Sequence, residues 1–300
     1  MSPQHTQIAG VVLAATFVLA GIGLLVYNAL PEAKPKVVEV AEAPQVVEPQ
    51  YPEAVYEVIG ASVEGRSIER YTYGDGPRHV VFVGGIHGGY EWNTILLAQK
   101  MMDHFKRNPQ LIPEELQITI IPSANPDGVF KVMQTENDFT LEQALALDTD
   151  ESLGRFNAHG VDLNRNFDCK WAPESTWKGN IVSAGTEAFS EPEAKALKNF
   201  IHKHQPAAVV FWHSQSNAVY ASECENGVIP ETLTIMKKYA DAAGYNAIAS
   251  FDAYPVTGDA EGWLASIGIP AITVELETHQ TVEWERNLRG VTVLLDYFAN

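Results

Sequence analysis

Four short apolar runs, at residues 79–83, 117–121, 207–212 and 271–276, recur along the chain with longer amphipathic stretches between them. Each run suits a buried strand and is too short for an ordinary helix. Residues 92–105 carry apolar side chains at helical spacing, and 230–243 and 281–298 read as further helices. Ser190-Glu191-Pro192-Glu193 fits a capping box with proline in the first turn of a helix running to His204. Strands separated by helices need crossover connections, so the expected fold is α/β, with a mixed, largely parallel central sheet and helices on both faces. In such sheets ligands gather where strands run out into loops. His87 follows the first run, Asn125 the second, His213 closes the third, and Glu275 lies near the end of the fourth.

The formal net charge of -18 excludes a polyanionic partner such as nucleic acid, which binds through Lys and Arg replacing counterions. Cys169 and Cys224 are the only cysteines and have no CxxC spacing, which excludes a disulfide-rich scaffold and a zinc–thiolate site. One disulfide and two free thiols both stay open. Residues 8–30 are apolar and uncharged, and about 20 such residues cross a bilayer as a helix. A transmembrane anchor over 1–30 is therefore expected. A cleaved signal peptide is the competitor, but no Lys or Arg precedes the run and its length exceeds the usual signal core. Lys34 and Lys36 after the span would hold the rest of the chain in the cytoplasm. Single N-terminal anchors more commonly serve exported domains, so the expected placement is extracytoplasmic. Residues 31–50, rich in Pro and Glu, read as an extended linker to a catalytic domain over 51–300.

His87 and Glu91 sit in a glycine-rich stretch whose backbone can turn sharply, and His213 offers a third ligand. Two imidazoles and a carboxylate suit zinc and leave a position for water, whose pKa the metal lowers towards about 7. Either histidine alone reads more simply as a hydrogen-bonded core residue; their joint placement at strand ends favours the metal. Glu275 and Glu277 would share one face of a strand, so periodicity does not choose a general base between them. Asn164 and Arg165 provide an amide and a planar guanidinium suited to gripping a carboxylate.

Several ordered motifs then point one way: Ile59-Gly60-Ala61-Ser62-Val63-Glu64-Gly65-Arg66, Asn125-Pro126-Asp127-Gly128, Gly160-Val161-Asp162-Leu163-Asn164-Arg165-Asn166-Phe167, Phe189-Ser190-Glu191-Pro192-Glu193, Trp212-His213-Ser214 and Thr273-Val274-Glu275-Leu276. Together they resemble the zinc carboxypeptidase family of the funnelin type, M14, across nearly all of 51–300. The nearest flavour is the small bacterial branch without a propeptide, some of whose members process cell-wall peptides. The resemblance implies one zinc ion on His87, Glu91 and His213, with Glu275 as general base and Arg155 polarising the scissile carbonyl. It further implies that Asn164 and Arg165 hold the terminal carboxylate of a peptide, that Tyr254 caps it, and that Asp259 and Glu261 line a pocket for lysine, arginine or diaminopimelate. One departure stands out, because the family spaces its ligands His-x-x-Glu and Glu91 lies one residue further on. The implied activity is a metallocarboxypeptidase. A peptidoglycan stem-peptide amidase on the same site, or a catalytically silent binding protein, are the alternatives.

Overall fold

Successive residues of a strand face opposite ways, and Val80 and Phe82 enter one apolar core while Val81 and Val83 enter another. A strand buried on both faces needs cover on both, and this one is the centre of the sheet. The computed structural model describes residues 54–136, 138–251 and 254–300, which belong to one compact unit, Gln50–Asn300. The expected anchor and linker lie outside the described residues. Among the described residues no helix is long and apolar enough to cross a membrane.

In chain order the elements are β1 (Val55–Ala61), β2 (Ser67–Tyr73), β3 (Arg78–Val83), α1 (Trp92–Arg107), β4 (Leu116–Ile121), α2 (Pro126–Met133) and α3 (Leu141–Leu145). There follow β5 (Glu174–Trp177), β6 (Asn180–Ser183), α4 (Pro192–His204), β7 (Ala208–Ser214), β8 (Ala218–Ala221), β9 (Glu223–Cys224) and β10 (Gly227–Val228). The chain closes with α5 (Pro230–Ala243), β11 (Asn246–Ile248), α6 (Ala260–Ser266), β12 (Ala271–Leu276) and α7 (Trp284–Ala299). The main sheet runs β1-β2-β4-β3-β7-β12-β8-β11. Its centre, β4-β3-β7-β12, is parallel throughout, while β1, β2 and the β12–β8 pairing are antiparallel. One face packs against α1, α5 and α7, the other against α4 and α6. The α/β expectation holds, with antiparallel margins that the apolar runs did not reveal.

Two local expectations need correction. The N-cap of α4 is Glu191, without a side-chain cap, rather than Ser190. Ser190 instead donates to Glu191 Oε1, and Glu193 accepts from Val63 N and Asn157 Nδ2, so this polar quartet is spent on joining segments. The last helix begins at Trp284, not near 281, because the residues before it form a turn in which Thr278 and Thr281 accept from Asn93 through their carbonyls.

Candidate metal centre

β3 ends at Val83 and the chain turns through Gly84–Gly85 into one 3-10 turn, Gly88–Glu91, that runs straight into α1. Gly88 has φ +46, and a Cβ there would stand 2.6 Å from the carbonyl oxygen of Gly154 and 2.9 Å from the backbone of Gly128. Only glycine fits so close an approach. The tight turn absorbs the extra residue between His87 and Glu91, and His87 Nδ1 comes 2.8 Å from Glu91 Oε1. β7 and β12 run parallel with His213 directly opposite Glu275, which sets the second imidazole and a carboxylate side by side at adjacent strand ends.

His213 Nδ1 lies 3.1 Å from Glu91 Oε2, yet that oxygen makes no hydrogen bond. The two atoms are close without being aligned on each other, the arrangement expected of ligands aimed at a common point. One atom from each of His87, Glu91 and His213 falls within 4.8 Å of the others, and all three residues are buried. Burial opposes the Glu91 charge, but the two imidazoles win and hold the carboxyl well below its usual range. Burial likewise pulls His213 down, and the Glu91 and Glu261 carboxylates push it well above the ordinary histidine value. A cation is what this cluster favours.

Each imidazole is backed by a carboxylate on its far side. Asp162, fully buried, accepts from Arg155 Nε at 2.9 Å and from Asn164 N at 3.2 Å, with His87 Nε2 at 3.4 Å. Burial would raise its pKa, but the Arg155 charge keeps the carboxyl far below the carboxylate range. Glu261 Oε1 stands 3.1 Å from His213 Nε2 and accepts from Thr273 Oγ1 at 3.0 Å. Carboxylates so placed orient a ligating imidazole and fix its tautomer.

The centre opens into a cleft of about 750 Å³ lined by the remaining expected residues, among them Arg155, Asn164, Arg165, Tyr254, Asp259 and Glu275. Arg165 is buried; its Nη1 donates to the carbonyl of Asn164 at 2.6 Å and its Nε has no partner. It forms no ion pair within 4.0 Å among the described residues. Asn164 Oδ1 accepts from Ala260 N at 2.8 Å, which ties the Arg165 turn to the start of α6. Gly258 belongs to the same joint: at φ +71, a Cβ would stand 2.1 Å from the carbonyl oxygen of Arg165. Tyr254 is exposed on the rim with its ring against Phe251. Asp259 caps α6 by accepting from Gly262 N at 2.7 Å, and burial, with the Glu261 charge, raises it to about 6. Glu275 is pushed up to about 8 by burial, with the Glu91 charge adding to it, and its Oε2 is buried without a hydrogen-bond partner. Glu277 goes elsewhere: β12 ends at Leu276, the chain leaves the strand, and Glu277 pairs with Arg286 at 3.1 Å on the surface.

A family model for zinc carboxypeptidases matches residues 41–289. The chain belongs to that family. Zinc is the family's metal, one ion per chain, and two buried imidazoles with a carboxylate are the donor set it takes. Over 238 residues the chain is 25% identical to gamma-D-glutamyl-L-diamino acid endopeptidase 1 of Lysinibacillus sphaericus, covering 73% of this chain and 59% of that protein. It thus spans less than two thirds of that relative. The fold is shared with murein-tripeptide amidase MpaA from Escherichia coli O157, at TM-score 0.56 and 24% identity over 84% of this chain and 96% of that one. It is shared too with carboxypeptidase A from Helicoverpa armigera, at TM-score 0.64 and 21% identity over 82% of this chain and 68% of that one.

The sequence reading assigned no role to Asp162, although it stands inside the motif that supplies Asn164 and Arg165. An Asp set between the apolar Val161 and Leu163 was the available signal. Tyr90, Trp177 and Lys178 also line the cleft, and nothing in their sequence setting marked them. Cys169 and Cys224 form a disulfide, Cα–Cα 6.0 Å, which joins the segment after Arg165 to β9.

Proposed function

We propose that this chain is a zinc metallocarboxypeptidase that hydrolyses the peptide bond next to a residue bearing a free carboxylate. Arg165 carries the reading. A buried guanidinium without a carboxylate is costly to hold unless an anion arrives, and its fork is shaped for two parallel bonds to one. In this reading His87, Glu91 and His213 hold zinc, which when bound polarises a carbonyl and acidifies water. The Glu275 carboxylate takes the proton of the attacking water and returns it to the departing amine nitrogen as the C–N bond breaks, and its raised proton affinity suits that exchange. Arg155, held by Asp162, presents its guanidinium to the charge growing on the carbonyl oxygen. Asn164 and Tyr254 close around the terminal carboxylate. Asp259 supplies negative charge for a basic side chain, and Glu261 divides its carboxylate between that wall and His213.

Peptides with free and amidated C-termini test the reading. Amidation is expected to lower kcat/KM by at least about 100-fold, the loss of a charge-assisted bidentate contact; equal cleavage of both would overturn it. A second reading places the same chemistry on cell-wall stem peptides. It is supported by the likeness to a gamma-D-glutamyl-L-diamino acid endopeptidase and to a murein-tripeptide amidase that the match covers to 96%. Diaminopimelate offers both a carboxylate for Arg165 and an amine for Asp259. Hydrolysis of purified muropeptides in preference to ordinary dipeptides would establish it, and indifference to them would remove it. We further propose that the domain works outside the cytoplasm on an N-terminal anchor. Support comes from the Cys169–Cys224 disulfide, since such bonds persist in oxidising compartments, and from the apolar run at 8–30. Protease accessibility of the domain on intact cells checks that placement.

A further inference from the structure

β5 and β6 pair antiparallel from Glu174 to Ser183, with Trp177 opposite Asn180, which leaves Lys178 and Gly179 as a two-residue turn. Both have positive φ, 49 and 78, a conformation that suits asparagine and glycine and is uncommon for lysine. The hairpin brings Trp177 and Lys178 to the wall of the cleft. There Lys178 Nζ donates to Tyr90 Oη at 2.8 Å and lies 5.3 and 5.4 Å from the ring centroids of Trp177 and Tyr90. A hydroxyl and two ring faces thus aim an otherwise flexible ammonium. Tyr90 is the neighbour in sequence of the metal-centre residue Glu91. Arg155 rests on the same Trp177 ring, 4.7 Å from its centroid, so Lys178 shares an aromatic wall with the arginine that faces the scissile carbonyl. Arg165, on its own wall with Asn164 and Asp259, shares none of these neighbours.

Arg155 has Asp162 to neutralise it. Lys178 pairs with no carboxylate within 4.0 Å among the described residues, in a chain of net charge -18. We propose that Lys178 binds a carboxylate carried by the acyl half of the substrate, across the scissile bond from Arg165. This rests on the peptidase reading for which side is which. A chemical class that meets the requirement is a γ-linked glutamyl residue: linkage through the side chain leaves its α-carboxylate free at the end of a three-carbon chain from the scissile carbonyl. An α-linked glutamyl residue sets its side-chain carboxylate at the same remove, whereas an α-linked residue with a neutral side chain offers none. The cleft then reads an anion at each end, one on the leaving group and one on the acyl group.

The test is binding, measured calorimetrically on the zinc-loaded full chain carrying Glu275→Gln so that the ligands are not consumed. The probes are γ-D-glutamyl-L-lysine and the same dipeptide with its glutamyl α-carboxylate amidated. The carboxylate form is expected to bind about tenfold more tightly, the scale of one charge-assisted hydrogen bond. Adding Lys178→Gln should make the two affinities equal, and Lys178→Arg should keep most of the difference. Equal affinities in the protein with Lys178, a preference that survives Lys178→Gln, equal weakening of both ligands by that change, or no binding of either would each overturn the proposal. Equal weakening would mean that Lys178 only braces Tyr90. Turnover with Glu275 restored separates this site from the reading beneath it. No hydrolysis alongside a Lys178-dependent preference removes the peptidase reading and leaves the anion site; hydrolysis without the preference does the reverse.

Discussion

Charges on the metal side of the cleft are answered by partners from within the chain, and those of Arg165, Lys178 and Glu275 on the substrate side are not met by an opposite charge. Asp162 is met by Arg155, Glu91 by two imidazoles, and Glu261 by His213 and Thr273. Opposite them, Arg165 and the exposed Lys178 lack carboxylate partners, and Glu275 has no cationic partner within 4.0 Å, among the described residues. The contrast separates two kinds of charge. Those that hold an apparatus in place are satisfied before any ligand arrives, because an unpaired buried charge is destabilising. Those that act on a substrate stay open to it. Changes on the open side should therefore cost function and spare the fold, whereas changes on the answered side should cost both.

Glu275→Gln gives the largest effect. We expect kcat to fall about 10³-fold, within the range for loss of a general base, while bound zinc and melting temperature stay the same or rise. Loss of zinc in this variant would move Glu275 to the answered side and break the comparison. The pH profile carries the same information. Burial raises Glu275 from 4.5 up to about 8, and a dication beside it draws the value back down, so the acid limb of kcat/KM should fall between those limits. Activity is lost as pH drops through it, since the base must be deprotonated. A limb at or below 4.5 would contradict the burial argument.

The two arginines sharpen the contrast next. Arg155→Gln should lower kcat about 100-fold, as loss of an oxyanion donor does, and should also strip Asp162 of its partner, destabilising the fold by about 3–5 kcal/mol. Arg165→Gln should leave the melting temperature unchanged and raise KM for free-carboxylate peptides about 30- to 100-fold. Kinetics and thermal melts on the same preparations read both. Equal destabilisation by the two substitutions would erase the distinction between them.

Much of this was legible in the sequence because the parallel centre writes itself as continuous apolar runs. β3, β4, β7 and β12 are buried on both faces, and their ends locate His87, Asn125, His213 and Glu275. β1 is a half-exposed edge, with Val55, Tyr56 and Val58 open to solvent, so no apolar run marks it. The choice between Glu275 and Glu277 depended on where β12 stops, which alternation cannot supply. The partners of the imidazoles were hidden for a different reason. Asp162 and Glu261 reach His87 and His213 from segments far along the chain, and only tertiary packing brings them there. Asp259 and Glu261 looked equivalent as neighbouring acids, yet the turn into α6 spends Asp259 on a helix cap and directs Glu261 at an imidazole.

That division leads to the smallest effect. If Glu261 acts mainly through His213, its removal should appear in metal binding before it appears in substrate choice. Partners of this kind change metal affinity by about 10- to 100-fold. Glu261 is one of two such carboxylates and shares its oxygen with Thr273, so Glu261→Ala is expected near the low end, about tenfold, in chelator competition for zinc. Glu261→Gln keeps an oxygen that accepts from His213 Nε2 and gives up only the charge, so its loss should be smaller than that of Ala. Arg165→Gln is the control, since it should leave zinc affinity unchanged. If Glu261→Ala retains full zinc affinity and instead loses preference for basic C-terminal residues, Glu261 belongs to the open, substrate-reading side with Asp259, and the 3.1 Å approach to His213 is packing without consequence for the metal.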